Sequence, residues 1–168
     1  MNNDMKNENE PQTPSPRTIR VLFICHGNIC RSPMAEFIMK DLVRKAHREN
    51  EFEIASAATS SEEIWNGVGN PVYPPAKRKL AEYGISCEGK CARQITAADG
   101  EYYDLLIGMD NANIRNIKRV CGHEEKVHLL LEYAGESGEV SDPWYTDDFE
   151  TARRDILRGC EGLLRTLK

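Results

Sequence analysis

The string Ile19-Arg20-Val21-Leu22-Phe23-Ile24-Cys25-His26-Gly27-Asn28-Ile29-Cys30-Arg31-Ser32-Pro33 constrains this chain more than any other part of it. Its first six residues are largely β-branched or apolar, as expected of a strand buried on both faces of a parallel sheet. Ser32 followed by Pro33 reads as a helix N-cap with proline at the first helical position. Cys25 to Arg31 must then turn tightly between the carboxyl end of a strand and the amino end of a helix. Backbone N–H groups at a helix start lack intrahelical partners and converge on one concavity, which favours an anion. Gly27 and Asn28 tolerate the positive φ that such a curl requires. The loop is an anion cradle with a sulfur at one end and a guanidinium at the other.

Bulk properties narrow what the cradle can serve. A chain of 168 residues with 40% hydrophobic content suits one α/β domain. The net charge of −5, with no stripe of Lys and Arg, argues against nucleic acid. No segment approaches the ~20 apolar residues of a membrane-spanning helix. Residues 1–17 are polar and proline-containing and lack an apolar core, so a disordered extension is expected there rather than a secretory signal. A single domain is expected over 18–168. Cysteines 25, 30, 87, 91, 121 and 160 are then expected as thiols in a reducing compartment, the cytoplasm. Cys121 and Cys160 fit a helix end and a helix core position. A zinc site from Cys25, Cys30, Cys87 and Cys91 is the sharper alternative, but its spacings fit structural zinc patterns only loosely. Anion binding explains the first pair better, so no metal or cofactor is expected.

Along the chain, Met34, Phe37, Ile38, Leu42 and Ala46 recur at helical spacing, and 52–57 reads as a second strand. Residues 59–75 form a long Gly-, Pro-, Ser- and Asn-rich loop, of the length that often carries function. A short helix over 76–83 is stopped by Gly84, and 103–109 is a third strand. Asp110 caps a helix running through Arg119, and 126–130 is a fourth strand. SDPWYTDD (141–148) reads as a loop before a final amphipathic helix bearing Phe149, Ala152, Ile156, Cys160, Leu163 and Leu167. Alternating strands and helices imply right-handed crossovers and a parallel sheet. Ligands of such sheets sit beyond the carboxyl ends of the strands, at a topological switch point. Cys25, the Ser60 loop, Asp110 and Asp142 are all expected there.

The longer string CHGNICRSPMAE (25–36), with DPWY at 142–145, resembles the low-molecular-weight protein tyrosine phosphatases. The likeness spans about 19–167 and includes SAATS (56–60), the Trp65-to-Pro71 loop, ARQIT (92–96) and MDNANIRNI (109–117). It implies a three-layer, flavodoxin-like fold with a four-stranded parallel sheet in the order 2-1-3-4. It also implies a phosphocysteine intermediate without metal, tyrosine-phosphorylated proteins as partners, phosphate or other oxyanions as ligands, and a monomer.

The residues suit that chemistry. A thiol is a weak nucleophile until a helix N-terminus and a nearby guanidinium favour its thiolate. Cys25 is the candidate nucleophile, and Arg31 the bidentate phosphate clamp, a planar task for which Lys is a poor substitute. His26, Gly27, Asn28, Ile29, Cys30 and Arg31 supply the cradle, while Asn28, Ser32 and Ser60 hold its shape. The matching acid by resemblance is Asp142, which protonates the leaving phenolate and then activates water; a turn aspartate before proline is the competing reading. Asp147 and Asp148 are weaker candidates and are expected to cap the last helix. Trp65, Trp144 and Tyr145 can wall an aromatic slot that suits phosphotyrosine, or can simply anchor loops. A Cys25–His26 dyad is disfavoured because adjacent residues rarely face each other. The resemblance makes Cys30 the redox partner of Cys25. The chain departs from the family at Tyr83, where a His is common, which bears on the hydrogen-bond network beneath the loop. Cys87 and Cys91 take no role.

Two relatives share such a loop. Arginine phosphatases tend to carry Thr where this chain has Ile29, so Ile29 favours phosphotyrosine. Arsenate reductases use two further cysteines after the third strand, whereas Cys87 and Cys91 precede it. A phosphopeptide-binding module would keep Arg31 but has no need of Cys25 together with Asp142.

Overall fold

The computed structural model describes residues 17–167. Four parallel strands, β1 (Ile19–Cys25), β2 (Phe52–Ala58), β5 (Leu105–Gly108) and β6 (Val127–Leu129), form one sheet in the order β2-β1-β5-β6. A two-stranded antiparallel hairpin, β3 (Ile64–Trp65) with β4 (Val68–Gly69), stands apart inside the long loop. The helices are α1 (Arg31–Lys45), α2 (Pro74–Ala81), α3 (Ala97–Tyr102), α4 (Asn111–Cys121), α5 (Pro143–Thr146) and α6 (Phe149–Thr166). The doubly wound sheet in the expected order is thus present; the small hairpin, α3 and α5 were not foreseen. The extension expected at 1–17 lies outside the described residues except for Arg17, whose guanidinium pairs with Asp104.

The alternation of β1 explains the layers, because successive side chains of a strand point to opposite faces. Val21 and Phe23 enter a core with Met34, Ile38 and Met39 of α1 and Ile156, Cys160 and Leu163 of α6. Leu22 and Ile24 enter a second core with Ile117 and Cys121 of α4. All four of these β1 residues are 0% exposed. Helices therefore cover both faces, and the strand has no solvent side.

This topology positions the site. From β1 the chain crosses to β2 on one side, and later elements build β5 and β6 on the other. The carboxyl end of β1 is therefore the switch point, where loops diverge and leave a crevice. Cys25 is the last residue of β1 and pairs in register with Ala58 at the end of β2. The backbone N–H groups of Thr59 and Ser60 donate to the carbonyls of Cys25 and His26 at 2.9 and 3.0 Å, tying the neighbouring loop to the cradle.

Candidate active site

The loop from Cys25 to Arg31 curls around the sulfur. The backbone N–H groups of Asn28 and Ser32 point to Cys25 Sγ at 3.3 and 3.4 Å, and Ser32 Oγ lies 3.1 Å from it. Two amides and a hydroxyl thus converge on one sulfur. Of the two residues expected at positive φ, Asn28 alone adopts it, at 58°. Gly27 serves another need: a Cβ there would press to 3.2 Å from the Glu63 side chain. The helix also starts earlier than Ser32-Pro33 suggested. Its first residue is Arg31, its N-cap is Cys30, and no side chain caps it. The open amides at that end face the cradle, and the Ser32 hydroxyl is committed to the sulfur instead of to capping.

Behind the loop the Asn28 side chain acts as a brace. Its Nδ2 donates to Ser32 Oγ at 2.7 Å and to Ser56 Oγ at 3.0 Å, while its Oδ1 accepts from Arg93 N at 3.2 Å. Ser60 Oγ donates to the His26 carbonyl at 3.0 Å. The three residues expected to orient the loop, Asn28, Ser32 and Ser60, all bond to it. Ser56 was missed, because a serine inside a strand carries no local signal of where its hydroxyl points.

Arg31 is 3% exposed although charged, so its partners must compensate for burial. Its Nη1 donates to Asp110 Oδ2 at 2.8 Å and to the Val140 carbonyl at 2.9 Å, and its Nη2 stands 3.4 Å from Asp142 Oδ2. Burial alone would weaken its hold on the proton, but the charges of Cys25, Asp110 and Asp142 outweigh it and raise the guanidinium pKa above its ordinary value. Asp110 also caps α4, accepting from Asn113 N at 2.8 Å, so one carboxylate fixes both a helix and the Arg31 guanidinium. Asp142 caps α5 through Oδ1, which accepts from Trp144 N at 3.1 Å. Its second oxygen is left for the cavity and Arg31. Asp148 caps α6 as expected, but Asp147 does not: it closes α5 in a left-handed conformation, at φ 58°.

Cys25, Arg31 and Asp142 line a cavity of about 120 Å³ with His26, Gly27, Ile29, Cys30, Glu62, Glu63, Trp144 and Tyr145. Trp144 rests on Tyr73, with ring centroids 4.9 Å apart, and so is both loop anchor and cavity wall. Tyr145 is 83% exposed at the mouth. Trp65 does not line the cavity: it sits on the β3–β4 hairpin, 80% exposed. Hairpin formation turns it outward, and Glu62 and Glu63 occupy the wall instead. The His26 ring lies 2.9 Å from Glu62 Oε2 at the rim, not against Cys25.

A model of the low molecular weight phosphotyrosine protein phosphatase family matches residues 20–168. The chain belongs to this family. The low molecular weight protein-tyrosine-phosphatase YfkJ of Bacillus subtilis is 39% identical over 154 residues, covering 89% of this chain and 96% of that protein. Its crystal structure superposes with a TM-score of 0.83 over 89% of this chain and 94% of that one, at 38% identity. The low molecular weight phosphotyrosine protein phosphatase of Schizosaccharomyces pombe is 42% identical over 158 residues, covering 90% of this chain and 98% of that protein. The crystal structure of the Drosophila arginine phosphatase is also similar, with 29% identity and a TM-score of 0.79 over 89% of this chain and 98% of that one.

Within this low molecular weight phosphatase the departure at Tyr83 leaves the brace beneath the loop intact. The Tyr83 ring lies under Arg153, 3.8 Å from the guanidinium, and its hydroxyl reaches Glu150. Cys30 is 5% exposed, and its pKa is pushed up to about 12, first by burial and then by the charge of Cys25. All six cysteines are free thiols. Cys87 is buried and Cys91 exposed, and among the described residues no three His, Cys, Asp or Glu side chains gather as a metal site.

Proposed function

We propose that this phosphatase hydrolyses phosphotyrosine in proteins, and small aryl phosphates, through a phosphocysteine intermediate. One observation carries the reading: a sulfur held by amide donors, a pinned guanidinium and a carboxylate share a single aromatic-walled cavity. Arg31 grips two phosphoryl oxygens while the loop amides meet the remaining charge. Cys25 Sγ attacks phosphorus and the P–O bond to the phenol breaks. Asp142 gives its proton to that leaving oxygen. The carboxylate so formed then takes a proton from water as the water attacks phosphorus, and the S–P bond breaks to release phosphate and the thiolate. The relatives' names, protein-tyrosine-phosphatase and phosphotyrosine protein phosphatase, agree with this substrate.

An arginine phosphatase is the second reading, because a protein of that name shares the fold. Ile29 speaks against it: the side chain lines the cavity and offers no hydroxyl to orient a guanidino group. A thiol-relay reductase has less support, since Cys160 is 0% exposed in the core beneath α1. Cys30 is the redox partner proposed for Cys25. Hydrogen peroxide oxidises the Cys25 thiol to a sulfenic acid with release of one water, and the Cys30 thiol then displaces a second water to form the disulfide, protecting the nucleophile. The free thiols fit a cytoplasmic monomer, and among the described residues no helix is long and apolar enough to cross a membrane.

The test is kcat/KM on matched phosphotyrosyl, phosphoseryl and phosphoarginyl peptides. Preference for phosphotyrosine by about a hundredfold or more is expected, because serine is too short to bring its phosphate to the cradle while its peptide clears the walls. Equal or better turnover of phosphoarginine overturns the assignment.

A further inference from the structure

Among the described residues, eight polar or charged side chains are buried, and the catalytic scheme leaves two charges among them unused: Asp99, which caps α3 and holds Arg93, and Glu36, which has no such local duty. It lies on α1 with its side chain 6% exposed. Lys40 Nζ donates to Oε2 at 2.6 Å. The other cation is Lys90, its side chain 12% exposed, with Nζ 3.6 Å from Oε1 and a 2.8 Å hydrogen bond to the Ser56 carbonyl. Burial lowers the Lys90 pKa below its ordinary value, and Glu36 opposes that fall. Desolvating a carboxylate and much of an ammonium is costly unless opposite charge and hydrogen bonds compensate it, and here both are present.

Glu36 and Lys90 stand at the head of a file of hydrogen bonds whose directions are forced. A carboxylate only accepts, so Ser56 Oγ, 2.6 Å from Glu36 Oε1, must give it the hydroxyl proton. Ser56 Oγ can then only accept from Asn28, which turns the Asn28 Nδ2 toward this side, at 3.0 Å. The opposite side agrees: Asn28 Oδ1 accepts from Arg93 N. The second Nδ2 proton goes to Ser32 Oγ at 2.7 Å, so Ser32 accepts there too. Its own proton is left for Cys25 Sγ at 3.1 Å, with the Ala57 carbonyl a more distant acceptor at 3.4 Å.

We propose that the Glu36–Lys90 ion pair is a positioning device that fixes this polarity, so that Ser32 donates to the nucleophilic sulfur. The proposal rests on Cys25 being the nucleophile. A neutral group at 36 can donate to Ser56, whose proton then competes for Asn28 Oδ1. Ser32 in turn can spend its proton on the turned amide, and the sulfur loses a donor. The other charges near the pair are Lys40 on α1 and Arg93, which is held by Asp99 at 3.0 Å. Those near the sulfur are Arg31, Asp142, the Cys30 thiol and, around the same cavity, His26, Glu62 and Glu63, with Asp110 reached through Arg31. None of these changes in the variants below.

The test uses Glu36→Gln, Lys90→Met and Lys90→Arg in the full chain. It measures the rate at which iodoacetamide alkylates Cys25, located by peptide mapping, across pH. The ratio of rates at about pH 5.5 and about pH 9 reads the thiolate and cancels access to the sulfur. We expect that ratio to fall about three- to tenfold in Glu36→Gln, to fall less in Lys90→Met, and to return toward the native value in Lys90→Arg. The acid limb of kcat/KM for an aryl phosphate should move with it. If Glu36→Gln does not fold, Lys90→Met decides. A native ratio in folded Glu36→Gln and Lys90→Met reduces the pair to a structural one and overturns the proposal. Full activity after complete alkylation of Cys25 in the native enzyme would instead overturn the nucleophile assignment beneath it.

Discussion

Cys25 and Arg31 were legible because one short string carries both, with the glycine, asparagine and serine that a tight anion loop demands. Their neighbours in space were not. Glu36, Ser56, Lys90 and Glu63 come from four segments, and each matters through burial or direction that its residue type does not announce. Replacing Cys25 by Ser should lower aryl-phosphate hydrolysis about 10⁴-fold or more while phosphate still binds, since the amides and Arg31 remain. Isothermal titration with phosphate beside a turnover assay checks both halves, and retained turnover contradicts the assignment. Ile29 sits in the cavity wall, so Ile29→Thr should move the ratio of phosphotyrosyl to phosphoarginyl turnover toward phosphoarginine by about tenfold. An unchanged ratio removes Ile29 as a specificity determinant.

At the scale of elements, periodicity and capping residues located the four sheet strands, α1, α4 and α6, and Asp110 and Asp148 cap the helices they were expected to cap. Two readings shifted for one physical reason. Ser32-Pro33 looked like a helix start, and SDPWYTDD like plain loop, because capping rules assume that a side chain's duty is local. Here Ser32 serves the sulfur, and Asp142 both caps α5 and faces Arg31. That double duty can be separated. Asn caps as well as Asp but carries no acidic proton, so Asp142→Asn should match Asp142→Ala in lost activity while keeping about 1 kcal/mol more stability. Either variant should slow aryl phosphates with poor leaving groups about 10²–10⁴-fold and those with good ones much less. Equal slowing would mean that Asp142 is not the acid. Helix α6 gives a packing prediction. A Cβ on Gly162 would collide with the Tyr133 carbonyl of the short turn Leu130–Ala134, whereas one on Gly138 would make only an ordinary 3.8 Å contact with Leu131 Cδ1. Gly162→Ala should cost about 2 kcal/mol and lower Tm by about 4–8 °C, with Gly138→Ala near neutral. Thermal unfolding by circular dichroism measures both, and an unchanged Tm in Gly162→Ala would refute the close approach.

For the whole molecule, the sheet order follows from alternation of strands and helices, and it makes the end of β1 the place where loops diverge. The four segments bearing Cys25, Ser60, Asp110 and Asp142 are far apart in sequence and meet there because parallel strands all end on the same side. What composition could not foretell is the surface of the mouth, since the β3–β4 hairpin carries Trp65 outward and leaves Glu62 and Glu63 beside the cradle. The central claim is that phosphate passes through the sulfur of Cys25. Asp142→Ala, mixed with an aryl phosphate of good leaving group, should form the intermediate without help from an acid yet hydrolyse it slowly for want of a base. Acid quenching during turnover, followed by mass spectrometry of the peptides, should find one phosphoryl group, on Cys25. A phosphoryl group on another residue, or none while the phenol is released in a burst, would contradict the account.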